Sequence, residues 1–274
     1  MTAQIRLMTF NLRGATSWDG WNVWPMRLPL VLDVLREHAP DVIGFQEAHP
    51  LNLLSLRQWS GRGWYRGLRS GDRISGPYNP LSWCADAVGV GARGGFYLSA
   101  TPERRSKSWG SRHVRTATWA ELTTGGGVFR CLNVHLDHAS QQARIEAARL
   151  ILHRLAALGA DVPTVILGDF NHDPVGDVYE ILQAGGFRDA WLEAGRADDD
   201  GAFTIHRFTG RRVAGEGRID WVLVSKHFDV ERARILKDCR APRYPSDHYP
   251  LLVELRLRSP ASAPCSRALL RASM

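Results

Sequence analysis

Asp169 and Asn171 stand two positions apart in Gly168-Asp169-Phe170-Asn171, between an apolar run and a helix-like segment. A carboxylate able to take a proton from water, beside a neutral amide able to hold a phosphoryl oxygen, makes a hydrolytic pair. The same residues suit a strand-to-helix turn, because Asp and Asn also cap helices. Ser246-Asp247-His248 offers a similar choice at the mouth of an apolar stretch: cation binding and proton transfer, or a plain turn. Glu47 closes the run DVIGFQE and Asn11 closes IRLMTFN, so with Asp247 they present only oxygen and amide donors. Hard donors without sulfur select magnesium or manganese over zinc.

NVHLDH brings His135, Asp137 and His138 to the end of another run. His-x-Asp-His is half of the metal signature of metallo-β-lactamase-like hydrolases, but the His needed two positions earlier is replaced here by Asn133. His135 alone suits either a buried structural role or an anion contact. GVGARG, residues 89–94, has the letters of a dinucleotide fingerprint but leads into strand-like GFYLSATP instead of opening a helix. In ERRSKSWGSRHVR, residues 103–115, Arg104, Arg105, Lys107 and Arg112 surround Trp109. Cations interleaved with an aromatic ring suit a phosphate and a stacked base, or a solvated loop.

These residues need elements that bring them to one place. IRLMTFN, DVIGFQE, FRCLNVHLDH and TVILGDFN are apolar runs that end in polar residues, as strands buried on both faces do. RIDWVLVS, opening with Asp220, and SDHYPLLVEL begin with the acid and continue as strands. In an antiparallel pair the start of one strand lies beside the end of its neighbour, so all six signatures can face one cleft. Helical spacing predicts helices in MRLPLVLDVLREHAP, stopping at Pro40, in QQARIEAARLILHRLAALG, capped by Gly159, and in DVYEILQAGG. The region 87–122 reads as β throughout. The expected architecture is two packed mixed β-sheets with helices outside, an α/β/β/α sandwich.

The chain of 274 residues, 44% hydrophobic, can bury a large core as one domain over residues 1–257, followed by a Pro/Ala/Ser tail, 258–274, expected to be loosely ordered. Lys and Arg total 35 against 28 Asp and Glu, and the net +7 attracts phosphate-rich partners, single-stranded nucleic acid or nucleotides among them. No apolar stretch reaches the roughly 18 residues of a membrane helix, and MTAQIRLMTFN runs straight into a strand without a leader, so a cytoplasmic protein without a membrane partner is expected. Four widely spaced cysteines are expected to stay reduced. No feature calls for an obligate protein partner.

Taken in order, TFNLR, FQE, NVHLDH, GDFN, RIDWVLVS and SDHYP resemble the endonuclease/exonuclease/phosphatase superfamily, from about residue 5 to 257. GFYLSATPE, RTATWAEL and HLDHASQQARIEAARLI are similar to a compact bacterial group within it. The resemblance implies a phosphoesterase dependent on Mg²⁺ or Mn²⁺, with Glu47 as main metal ligand and Asn11 and Asp247 beside it. It implies that Asp169 orients or deprotonates water, that Asn171 and His135 hold non-bridging phosphate oxygens, and that His248, polarised by Asp220, stabilises charge on phosphorus. Members often carry a Glu that braces the phosphate-binding histidine; Asp86 aligns there, one methylene shorter. Arg115 is a candidate phosphate or structural contact, and Trp109 and Arg112 are candidate substrate contacts. The basic loop points to a phosphodiester in nucleic acid or a nucleotide-like ester; a phosphomonoesterase acting on a sugar, inositol or nucleotide phosphate would use the same residues. A non-catalytic binding module would have lost some of these acid, amide or imidazole groups, and none is lost.

Overall fold

A computed structural model describes residues 4–71 and 76–258. Strands β1 (Gln4–Asn11), β2 (Val42–Gln46), β3 (Arg62–Tyr65), β4 (Leu81–Cys84), β11 (Phe228–Ile235) and β12 (Leu251–Leu257) form one sheet in the order β11-β12-β1-β2-β4-β3. Strands β5 (Gly89–Tyr97), β6 (Thr116–Thr124), β7 (Gly127–His135), β8 (Thr164–Asp169), β9 (Arg188–Asp189) and β10 (Asp220–Val224) form the other, ordered β5-β6-β7-β8-β10-β9. Each sheet is mixed: β1 runs parallel to β2 and β7 to β8, and the remaining pairs are antiparallel.

The apolar runs are continuous because alternate side chains enter different cores. Ile5 and Leu7 of β1 meet Val165 and Leu167 of β8 between the sheets. Met8 and Phe10 face the other way, toward α1 (Trp24–His38) and α2 (Pro50–Leu56). Ile166, Leu132 and Val134 pack outward on α3 (Gln141–Ala157) and α4 (Asp177–Ala184). The result is the expected four-layer sandwich, with a short α5 (Ala190–Glu193) packed at the inter-sheet core. The sheets approach closely at Gly44, where a Cβ would lie 2.0 Å from Leu167 Cδ1 and 2.8 Å from Asn133 Cγ. Beside it the Asn133 amide donates to the carbonyls of Phe45 and Pro80 at 2.8 Å and accepts from Gln46 Nε2 at 2.7 Å. Asn133 is therefore a clamp between the sheets, buried with its partners satisfied.

Helix ends differ slightly from the sequence reading. α1 stops at His38, with Ala39 as a left-handed cap before Pro40, and α3 stops at Ala157, two residues short of Gly159. Residues 98–115 are turns and loop, so the region 87–122 is two strands with an irregular connection. Hydroxyl bonds such as Ser99–Ser106 at 2.6 Å and Thr101–Ser106 at 2.7 Å give that segment a local alternative to strand pairing. GVGARG lies within β5, exposed and with a register shift between Val90 and Arg93, and opens no helix. Of the expected tail, only Arg258 falls among the described residues. None of the described helices is long and apolar enough to cross a membrane.

Candidate active site

The parallel pairs β1/β2 and β7/β8 end on one edge of the sandwich, and the antiparallel β10 and β12 begin there. Register makes this concrete: His135 pairs with Asp169 across β7 and β8, and Asp169 pairs with Asp220 across β8 and β10. The segments meet in a cleft of about 1060 Å³ lined by Glu47, His135, Asp169, Asn171, Asp247 and His248, among others. Asn11 and Asp220 stand behind that lining, each 1% exposed.

On one side of the cleft His248 Nδ1 lies 2.8 Å from Asp220 Oδ2, and its Nε2 is 4.0 Å from Asp169 Oδ2. Burial alone would lower the His248 pKa; the charge and hydrogen bond of Asp220, with the charges of Asp169 and Asp247, outweigh it and hold the imidazole well above its ordinary value. Asp169 is pushed up by burial and by Asp220, against the opposing effects of His248, the Asn11 Nδ2 bond at 2.9 Å and the Asn171 N–H at 2.9 Å. His135, with Nε2 3.5 Å from Asp169 Oδ2, is held well below the ordinary range, chiefly by burial and then by the positive charges of Arg115 and His248. The cleft thus combines a carboxylate biased toward holding a proton, a cationic imidazole and a neutral one. Asn171 has a left-handed φ of 52°, which Asn tolerates, and its Nδ2 donates to Leu136 O at 3.0 Å.

On the other side Glu47, also left-handed at φ 56°, accepts the Gly14 N–H at 3.1 Å. Burial would raise its carboxyl, but that bond and the charges of Arg13, His248 and Arg115 keep it below its ordinary value. Asp247 goes the opposite way, raised by burial and by the like charge of Glu47 against His248, Arg13 and Arg27. Arg13 Nε is 3.7 Å from Asp247 and forks onto Asp19 with two bonds at 3.0 Å. Ser246 Oγ donates to Asn11 O at 2.6 Å and fastens the start of SDHYP to the end of β1. Asn11 joins the two sides: its Nδ2 reaches Asp169 at 2.9 Å and Glu47 at 3.4 Å, while its oxygen accepts from Arg13 N at 2.9 Å.

The sequence matches the profile of the Endonuclease/Exonuclease/phosphatase family over residues 8–248. The chain belongs to that family. An endonuclease/exonuclease/phosphatase family protein from Bacteroides thetaiotaomicron superposes with a TM-score of 0.86 at 26% identity, covering 95% of this chain and 100% of the other. A mannosyl-6-phosphatase from Bacteroides thetaiotaomicron VPI-5482 superposes at 0.83 with 27% identity, covering 92% and 99%. The Arabidopsis thaliana carbon catabolite repressor protein 4 homolog 3 is 26% identical over 168 residues, 58% of this chain but only 35% of that protein's length. Family members hydrolyse phosphate esters and use a divalent metal.

The donor set fits such an ion. Glu47 and Asp247 bring two carboxylates from separate segments to one wall, where each charge disfavours the other and a cation would relieve both. Asp169, Asp220 and His248 also place ligand atoms within 4.8 Å of one another. There the His248–Asp220 bond and the cationic state of His248 compete with a metal, so that cluster is better suited to acid–base work.

Several expected contacts are not part of the cleft lining. Asp86 is exposed on the turn after β4, and because β4 runs antiparallel to β2 its C-terminal end lies at the opposite edge from Glu47, so Asp86 cannot brace His135. Trp109 is half-buried with its carbonyl on Ser140 Oγ at 2.8 Å, and the Arg112 side chain is exposed while its N–H donates to Asp137 at 3.0 Å. The Asp137 carboxylate accepts from Ser111 Oγ and from the N–H groups of Arg112, Ala139 and Ser140 at 3.0–3.1 Å, so it organises the loops instead of binding a metal. Arg115 does line the cleft, with Nε 3.5 Å from Asp137 and Nη2 3.1 Å from His138 Nδ1. Arg27 is an unforeseen member: 2% exposed, it donates to the carbonyls of Leu12, Arg13, Asn22 and Pro245 at 2.6–2.9 Å, stitching the segment after Asn11 to the one before Asp247. An Arg in an amphipathic helix ordinarily reads as solvated, so the sequence holds no signal for it.

Proposed function

We propose that the protein hydrolyses phosphate esters by attack of water activated on Asp169, with Mg²⁺ or Mn²⁺. The supporting observation is the arrangement around Asp169: a carboxylate whose proton affinity is raised lies 4.0 Å from an imidazole held cationic by Asp220. Attack on phosphorus needs a base for the incoming water and positive charge where charge accumulates on oxygen. Asp169 would orient the water and take its proton. Neutral His135 and the Asn171 amide would donate to non-bridging oxygens, and His248 would face the developing charge. Glu47 and Asp247, with Asn11 beside them, would hold the cation. When bound, the cation supplies Lewis-acid polarisation of a phosphoryl oxygen.

Among esters the cleft favours a small phosphomonoester. Such a group carries roughly −1.5 to −2 charge near neutral pH, and the cations Arg13 and Arg115 line this cleft. Similarity to the mannosyl-6-phosphatase supports the same class. The second reading is a phosphodiester in single-stranded nucleic acid or a nucleotide. It is favoured by Arg105, whose Nη2 donates to Gly71 O at 2.5 Å and ties the basic loop to the rim. The test is hydrolysis by purified protein of a monoester, a small diester, single-stranded DNA and RNA, each with Mg²⁺, Mn²⁺ or chelator. Activity untouched by exhaustive chelation would overturn the metal role, and hydrolysis of none of the four would overturn the function.

A further inference from the structure

Arg207 and Phe208 are consecutive residues with left-handed φ angles of 48° and 61°. For a bulky ring this backbone is costly and persists only where the surroundings over-determine it, which is commonest at ligand-binding positions. The surroundings here are specific. His206 N and Arg207 N both donate to the carbonyl of Asp247, at 2.8 and 3.1 Å. Thr209 closes onto His206 O through its N–H at 2.9 Å and its hydroxyl at 2.6 Å, and Gly210 N donates to His206 Nδ1 at 3.2 Å. The His206 ring is buried and stacked on Tyr249 with centroids 4.0 Å apart. The turn is therefore fastened to the backbone of the metal-side carboxylate.

Its effect is to bring a benzene ring into a polar cleft. Phe208 lines the same cleft as Glu47, Asp247 and His248, with Ile205 beside it, and is the one benzene ring among the described lining residues. Arg27 Cζ lies 5.6 Å from the ring centroid, its guanidinium already engaged with four carbonyls, so the ring rests on a fixed support. Phe208 is half-buried, which leaves ring surface for a ligand. Phosphate itself has no use for such a surface; the group esterified to it does.

We propose that Phe208 is a specificity-determining platform that selects esters whose leaving group presents a ring face, that of a planar nucleobase or the C–H face of a pyranose chair, close to the phosphate. This rests on the phosphoesterase reading. The test compares kcat/KM for adenosine 5′-monophosphate, glucose 6-phosphate and ring-free glycerol 3-phosphate in the wild type, Phe208→Ala, Phe208→Gly and Phe208→Trp. The glycine variant removes the ring while relaxing the positive φ, and so guards against misfolding of the alanine variant. Expected is a fall of about tenfold or more in the ratio of ring-bearing to ring-free ester for Ala and Gly, and its recovery in Trp. A fall confined to the nucleotide, or to the hexose, supports the platform and identifies its ring. An unchanged ratio, or equal losses on all three esters, overturns it. Should the wild type turn over none of them, the phosphoesterase reading falls separately, and the platform is judged by equilibrium binding: a preference for adenosine monophosphate over glycerol 3-phosphate that survives Phe208→Gly overturns it.

Discussion

The two sides of the cleft use the same kind of group in opposite states. Glu47 and Asp169 both end a buried strand, and burial pushes both carboxyls up. Glu47 is nevertheless held below its ordinary value by an N–H and three positive neighbours, whereas Asp169 faces Asp220 and stays raised. Burial is common to the pair, so the partners decide the difference: the carboxyl kept below its ordinary value suits a cation and the raised one suits a proton, as the proposed function requires.

The comparison breaks most visibly at Asp169. Asp169→Asn and His248→Ala should each lower turnover by about 10²-fold or more, the usual scale for losing a base or an electrostatic stabiliser. The stability signs should differ from the activity signs. Because the folded pKa of Asp169 is raised, its contribution to stability is greatest at low pH and is lost as pH rises from the unfolded value through the folded one. Asp169→Asn should therefore melt at the same temperature or higher at neutral pH while activity collapses. A variant that is both active and folded would remove Asp169 from the mechanism.

Asp220 raises both of its neighbours, the proton affinity of Asp169 through like charge and that of His248 through opposite charge. Asp220→Asn should therefore move both limbs of the pH–rate profile to lower pH, translating the bell instead of narrowing it, alongside a loss approaching that of His248→Ala. A profile whose alkaline limb stays in place would separate Asp220 from the imidazole.

Much of this was legible in the chain because strands buried on both faces are uninterrupted in sequence, and their polar ends mark one edge. The six signatures fell together for that reason. What stayed hidden depends on direction or on distant backbone. Asp86 sits beside the right strand, but the antiparallel course of β4 carries it to the wrong edge. Asp137 shares its motif with two histidines, yet its oxygens serve five donors of the adjoining loops. Arg27 and Phe208 gain their roles from carbonyls outside their own elements, Pro245 O for Arg27 and Asp247 O for the turn that carries Phe208. No local pattern encodes that.

On the other side of the cleft, Glu47→Gln should move the alkaline limb down far less than Asp220→Asn does, and should chiefly raise the cation concentration needed for half-maximal rate. Removing a charged ligand should cost on the order of tenfold or more in metal affinity, since even outer-shell partners are worth 10–100-fold. A metal titration identical to wild type would assign Glu47 to structure and leave Asp247 as the carboxylate of that wall.

The smallest effect on a small ester is expected at the basic loop, which lies outside both sides. The side chains of Arg104, Arg105, Lys107 and Arg112 are exposed, and none of the four residues lines the cleft. Neutralising all four with glutamine should change kcat/KM for a small monoester by less than about twofold, because exposed charges that do not line the cleft are weakened by solvent and salt screening. Binding of single-stranded DNA is the sharper measurement. If the loop steers a polynucleotide into the cleft, the slope of log affinity against log salt should flatten by about 0.7 for each phosphate that the loop no longer neutralises. A flattened slope with intact monoester turnover would put the nucleic-acid reading ahead. An unchanged slope would leave the cleft's own cations as the groups that recognise phosphate. A parallel loss of both activities would mean that the loop holds the catalytic wall in place, through the Arg105 side-chain bond to Gly71.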